Sequence, residues 1–408
     1  MGDYVLVLNA GSSSLKFCVY EPRDDGELDM LIGGQIEGIG TSPSLKAKDK
    51  AGASLVDQKL DSNIKDGYAA IDFLAKWLRS QFPHANLLGV GHRVVHGGKK
   101  YFRPTVIDEA ALNDLKELIP LAPLHQPYNL AAIEALLKAR PELLQLACFD
   151  TGFHRTHEEV VDLVALPYDI RNKGVQRYGF HGISYEYISS MLPKVAPGIA
   201  NGKVIVAHLG SGASLCAMKN GKSIDSTLGF TALDGLCMGT RPGALDPGVV
   251  LYLFQSLMLS AKEVETLLYK KSGLLGISGI SNDMRVLLES KEPAAKLAID
   301  YFVFRITKEI GALSAVLGGL DALVFTAGIG ENSPMIRQRI CEASSWLGIE
   351  IDASLNDKKE LCISKKNSKV CVWVIPTNEE LMIARSMRLT ITPTAAEGPV
   401  GGRGKPIE

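Results

Sequence analysis

The residues able to do chemistry sit at the ends of apolar runs. The stretch NAGSSSLKF (9–17) comes directly after YVLVL and combines small residues, hydroxyls and one lysine. Such a turn can aim backbone N–H groups and hydroxyls at an anion, with Lys16 adding charge. The next residues, FCVY, read as a second strand, whereas the lysine of a P-loop opens a helix. HLGSGAS (208–214) is a second such turn, and TAGIGENS (326–333) is read as a third, between a strand and a helix. A phosphate chain needs several closely approaching backbone donors, which glycine permits. Two common nucleotide motifs are excluded. The GKS at 221–223 has Cys216 where a Walker A needs glycine, and GIGENS has Ser333 where a dinucleotide fingerprint needs its last glycine.

Charged groups accompany these turns. GHRVVHGG (91–98) puts Arg93 at a strand end, placed to clamp an anion, between two histidines four apart. That pair lies in a strand context and lacks the glutamate of HExxH, so it is not read as a metal site. CFDTGFH (148–154) ends a buried run in Asp150, where a carboxylate can hold Mg²⁺ or orient an attacking group. RYGFHGISYEYI (177–188) sets His181 between glycines, and MGTRPGALDP (238–247) sets Arg241 in a Gly/Pro loop suited to transition-state charge. IPTNEELMIA (375–384) offers Glu379 for Mg²⁺, or Glu379 and Glu380 as acids favouring a helix N-terminus.

The elements that must position these groups repeat. Residues 3–20 and 203–223 each read as strand, small-residue turn, strand. Helical spacing runs over 66–82, with Ile71, Leu74, Trp77 and Leu78 on one face, and again near 108–119, 129–140, 247–259, 262–269 and 293–317. Asp108 is a candidate N-cap. The polar stretch 46–62 is an exposed hairpin or loop, and the Pro/Gly-rich residues 392–408 are expected to fray. The apolar stretch 310–330 contains Gly318–Gly319 and Asp321, so it reads as a helix end and a buried strand, not a membrane span. Two halves of this kind imply duplicated α/β domains around a ligand cleft.

Composition limits the partners. The 408 residues include 44 basic and 45 acidic side chains, which leaves no field to attract nucleic acid or an anionic membrane. The acid in MGDYVLV and seven cysteines without a CxxC pair fit a soluble, cytoplasmic protein.

NAGSSSLKF, GHRVVHGG, PLHQPYN, FDTGFH, RYGFHGIS, HLGSGAS, GFTALDGLCMGTRPGALDP, GLLGISGISNDMR, FTAGIGENS and IPTNEELMIAR occur together, in order, over residues 9–385. In this the chain resembles the acetate kinases, short-chain fatty-acid kinases of the actin/hexokinase/heat-shock-chaperone ATPase superfamily. The resemblance implies two duplicated actin-like (ribonuclease H-like) domains around an interdomain cleft: residues 1–150 with 383–408, and residues 151–382. It implies reversible, direct in-line transfer from ATP to acetate, with Mg²⁺ or Mn²⁺ in its place, and a cytoplasmic homodimer joined through the second domain. It also implies a role for each motif residue. Asn9 and Glu379 hold the metal, and Asp150, Arg93, His181 and Arg241 are catalytic. Ser12, Ser14, Lys16, His208, Leu209, Gly210, Ser211 and Gly212 meet the phosphates. Asp283, Met284, Arg285, Gly328, Ile329, Gly330 and Asn332 meet the nucleotide. Arg93, Val95, Leu124, Phe180 and Ala232 form the acid's site. Two residues depart from the family pattern: Ser211 stands where Asn is usual, and Ala232 where Pro is usual. A propionate kinase is the alternative within the family, and a hydroxyl kinase using Asp150 as base is the alternative outside it.

Overall fold

A computed structural model of the protein describes residues 2–391, so the stretch 392–408 expected to fray lies outside the described residues. The chain forms two compact units, Met1–Gly152 with Asn378–Glu408, and Phe153–Thr377. The second boundary falls at 377/378, not at the expected 382/383, and the reason is physical. A helix begins at Glu379 and runs to Ile391, and its Ile383 and Met387 pack against Gly91 and Gly89 of the first unit's sheet. A cut at 382 would divide one packed helix.

The first unit contains β1 (Tyr4–Ala10), β2 (Ser14–Pro22), β3 (Leu28–Glu37), β4 (Ser44–Asp49), β5 (Ser54–Lys59), β6 (Leu87–Val94), β7 (Thr105–Val106) and β8 (Gln145–Phe149). They form one sheet in the order β5-β4-β3-β2-β1-β6-β8-β7. The hairpins β1–β5 are antiparallel, whereas β6 runs parallel to β1 and β8 parallel to β6. Parallel neighbours need crossovers, and helices supply them. The helix Gly67–Gln81 is capped by Asp66, whose side chain accepts from the Ala69 N–H, and it buries Ile71, Leu74 and Leu78. Full burial of one such side chain is worth roughly 1.5–3 kcal/mol. Asp108 caps the helix Glu109–Glu117 in the same way. The polar stretch 46–62 takes the hairpin form, as the β4–β5 pair.

The second unit contains β9 (Lys203–Leu209), β10 (Ala213–Lys219), β11 (Lys222–Ser226), β12 (Ala322–Thr326) and β13 (Cys371–Val374), in the order β11-β10-β9-β12-β13. Antiparallel strands again come first, here three of them, and two parallel ones follow. The order β3-β2-β1-β6-β8 repeats as β11-β10-β9-β12-β13, so the echo between residues 3–20 and 203–223 marks a duplicated topology. The helix Pro293–Leu317 stops at Gly318 (φ 67°), and the fully buried β12 begins shortly after. Among the described residues no helix is long and apolar enough to cross a membrane.

TAGIGENS differs from expectation. It is not a turn but a short helix, Ala327–Asn332, that comes directly after β12. Ala327 enters it at φ 64°, and its N–H donates to the Glu331 carboxylate at 2.8 Å. That capping contact supplies what the glycine pattern alone does not reveal.

Candidate active site

In the first unit, alternation along β2 sends Leu15, Phe17 and Val19 into the core, leaving Ser14 and Lys16 on the opposite face. Asn9 of β1 pairs with Lys16 across the ladder, and Ser12 is exposed in the turn between the strands. On β6 the same alternation puts Gly89, Gly91 and Arg93 towards the helix Glu379–Ile391. A Cβ on Gly91 would lie 2.5 Å from Ile383 Cγ2, so glycine is what lets the helix lie this close. That approach brings Glu379 to Arg93, with Nη1 3.5 Å from Oε2. From the end of β8, Asp150 accepts from Arg93 Nε at 3.0 Å and Nη2 at 2.7 Å. Burial opposes the guanidinium charge, but Asp150 and Glu379 outweigh it and raise the Arg93 pKa. Burial drives the Asp150 carboxyl up; Arg93 opposes this and Glu379 adds to it.

The helix Gln126–Ala139 fixes the neighbouring turns. Asn129 Nδ2 donates to the Ala10 carbonyl at 2.7 Å, and its Oδ1 accepts from the N–H of the buried Val95 at 3.1 Å. One side chain thus ties the first small-residue turn to the segment after Arg93. Leu124 is half-buried just before this helix.

In the second unit, β9 ends with His208 and the buried Leu209, and the turn closes by Gly210 N–H donating to the Gly212 carbonyl at 3.0 Å. Ser211 at its tip is exposed. The His208 ring stacks on His181, centroids 4.3 Å apart. His181 sits at φ 59° immediately before the helix Gly182–Val195. The carbonyl of the buried Phe180 accepts from His154 Nε2 at 2.9 Å. Burial lowers the His154 imidazole to about 3, so it serves that loop as a neutral group. Arg241 Nη1 donates to the Ala232 carbonyl at 2.8 Å. A Cβ on Gly212 would lie 2.8 Å from Arg241 Nη2 and 3.2 Å from His181 Nε2, so both groups converge on that glycine. Burial lowers the Arg241 pKa, with Tyr269 opposing, and among the described residues no carboxylate lies within ion-pair distance. A cation in this state has capacity for an incoming anion.

Gly328, Ile329, Gly330 and Asn332 lie in the short helix after β12, beside β9. Asp283 caps the helix Met284–Glu289 and forks the exposed Arg285. Gly239 lies against both Asn282 and Ser211, linking this segment to the β9–β10 turn.

A family model for the acetokinase family matches residues 4–385. The chain belongs to the acetokinase family. An acetate kinase of Nitrobacter hamburgensis is 53% identical over 94% of this chain and 95% of its own length. The crystal structure of Porphyromonas gingivalis acetate kinase matches with TM-score 0.84 at 40% identity, covering 95% of this chain and 99% of that one. A propionate kinase from Francisella tularensis matches with TM-score 0.88 at 38% identity, covering 94% and 98%. The fold is therefore that of duplicated actin-like ATPase domains, and the protein is a phosphotransferase with a carboxyl acceptor.

The acetokinase signature PLHQPYN contains positions that reasoning on single residues passes over. His125 lies close enough to Asp150 to act on its charge. Gln126 pairs through its amide with both the N–H and the carbonyl of His96. The motif as a whole holds the signal for these residues, but nothing in their types announces it. Ser214 and Tyr185, beside His181, are equally silent.

For Mg²⁺ the first unit offers a fitting donor set. Asp150 and Glu379 together carry one more negative charge than Arg93 neutralises. That suits an ion that keeps water and phosphate ligands and takes only one or two carboxylates.

Proposed function

We propose that the protein catalyses reversible transfer of the γ-phosphoryl group of ATP to acetate, directly and in line, giving acetyl phosphate and ADP. The observation that carries this is the engagement of Asp150. Both its oxygens accept from the Arg93 fork, so it is poorly available as a base for a hydroxyl acceptor. A carboxylate acceptor needs no base at pH 7, because it is already ionised. It needs cations to offset its repulsion from the phosphoryl group, and Arg93 and Arg241 are assigned to that work. His181 is assigned to the equatorial oxygens of the phosphoryl in transfer.

Glu379 and Asn9, with help from Asp150, would hold Mg²⁺, for which Mn²⁺ would substitute. Bound there, the ion supplies charge neutralisation between phosphate oxygens. Ser12, Ser14 and Lys16 are assigned to the phosphates, together with His208, Leu209, Gly210, Ser211 and Gly212. Asp283, Met284, Arg285, Gly328, Ile329, Gly330 and Asn332 are assigned to the nucleotide. Val95, Leu124, Phe180 and Ala232 are assigned to the methyl group of the acid. A methylene in such a pocket is worth only about 1–3 kcal/mol, so propionate is a secondary substrate. We further propose a cytoplasmic homodimer. Its support is the helix Pro247–Gln255, PGVVLYLFQ, which buries only Leu253.

The test is a hydroxylamine trap for acyl phosphate with ATP and Mg²⁺, comparing acetate, propionate and butyrate. Acetate is expected to give the most product. Propionate in first place would move the reading to the propionate branch and point to Ala232. No acyl phosphate from any acid would overturn it.

A further inference from the structure

Around His181 the hydrogen bonds admit one proton arrangement. Tyr185, on the helix Gly182–Val195, is fully buried, and so is Ser214 of β10. The Tyr185 hydroxyl lies 2.5 Å from Ser214 Oγ, and Ser214 Oγ lies 2.8 Å from His181 Nδ1. Neither hydroxyl has another hydrogen-bond partner among the described residues. The phenol must therefore donate to Ser214, since a buried O–H left without an acceptor is costly. Burial also raises the Tyr185 pKa well above its ordinary value, so that proton does not leave. Ser214 has one proton, and the remaining acceptor is His181 Nδ1. An imidazole that accepts at Nδ1 carries its proton on Nε2.

We propose that Tyr185 and Ser214 form a directed relay that holds His181 in its Nε2–H tautomer, so that the ring meets the phosphoryl oxygens as a hydrogen-bond donor. They are positioning residues and touch no substrate themselves. The inference rests on the reading that His181 contacts the phosphoryl group in transfer.

The geometry at Gly212 shows why the tautomer matters. His181 Nε2 and Arg241 Nη2 converge there. With its lone pair on Nε2, the imidazole would turn an acceptor, and not a donor, towards the space in which the anion is expected. With Nε2–H, both are donors aimed at one space, an arrangement that favours an anion as the shared acceptor. A further titratable group facing the ring is His208, stacked on it from β9.

The experiment uses full-length protein labelled with ¹⁵N-histidine, reading the tautomer of His181 from long-range ¹H–¹⁵N correlations, with His181→Gln to assign the signals. Wild type is expected to show the Nε2–H pattern. In Tyr185→Phe, Ser214 is freed to accept from Nδ1–H, so a mixed tautomer is expected. There kcat should fall by about three- to tenfold, with KM for ATP and acetate within about twofold of wild type, a fraction of the loss expected when a whole donor is removed. Ser214→Ala should show the same direction with a larger kcat loss. An Nδ1–H pattern in wild type would overturn the relay, as would unchanged tautomer and kcat in both variants. Full activity in His181→Gln would instead overturn the reading of His181, whatever the tautomer proves to be.

Discussion

His92 and His96, the histidines whose spacing invites a metal reading, are structural hydrogen-bonding groups. His92 Nε2 donates to Gln145 Oε1 at 2.9 Å, and His96 Nδ1 accepts from the Gly98 N–H at 2.9 Å. Burial lowers the His92 pKa to about 4, against the Gln145 hydrogen bond, which opposes the shift. Because the folded value lies below the unfolded one, the unfolded chain binds the extra proton first as pH falls. Stability is present in full above the unfolded pKa of about 6.5 and is lost as pH drops from there towards 4. Between pH 7 and pH 5 this single group should withdraw about 2 kcal/mol. His92→Leu should therefore lose about that much less stability than wild type over the same interval, as measured by urea denaturation. A difference near zero would show that His92 is protonated without penalty in the folded protein.

At the scale of elements, the alternation Gly89-x-Gly91-x-Arg93 joins packing to chemistry. The glycines admit the helix Glu379–Ile391, and the helix delivers Glu379 to Arg93. Gly91→Val should push the helix off through Ile383, costing about 1–3 kcal/mol by overpacking and raising the Mg²⁺ concentration needed for half-maximal activity. Pairing it with Ile383→Ala, which opens the space, should restore much of both. A Mg²⁺ requirement that stays normal in Gly91→Val would separate Glu379 from the metal. The strand–turn–strand units are readable in the sequence because small residues interrupt apolar runs at the turns. The Arg93–Asp150–Glu379 cluster is not, since Arg93 and Asp150 stand 57 residues apart and only the parallel β6–β8 register brings them together. TAGIGENS misleads because glycine suggests a turn, while the deciding contact is a glutamate side chain folding back on the Ala327 N–H. The helix at 126 begins earlier than its apolar periodicity because Pro127 suits the first turn of a helix, where a missing N–H costs nothing.

At the scale of the whole molecule, the helix Pro247–Gln255 turns little of its apolar surface into its own unit. Val249, Leu251, Tyr252 and Phe254 of the helix Pro247–Gln255 are exposed, as are Leu257 and Met258 just beyond it. An amphipathic helix of a monomer would turn these residues inwards, and here Leu253 alone is buried. Contiguous apolar surface of this kind marks an interaction face, and a specific interface needs about 800 Å² from each partner. If the partner is a second copy of the chain, light scattering during size exclusion should give a mass near twice 44.0 kDa. Replacing Leu251 and Tyr252 by Asp would desolvate charge in such an interface, and the mass should then fall to 44.0 kDa. A wild-type protein that elutes as a 44.0 kDa species at micromolar concentration would rule out the dimer. The exposed helix would then need a different partner.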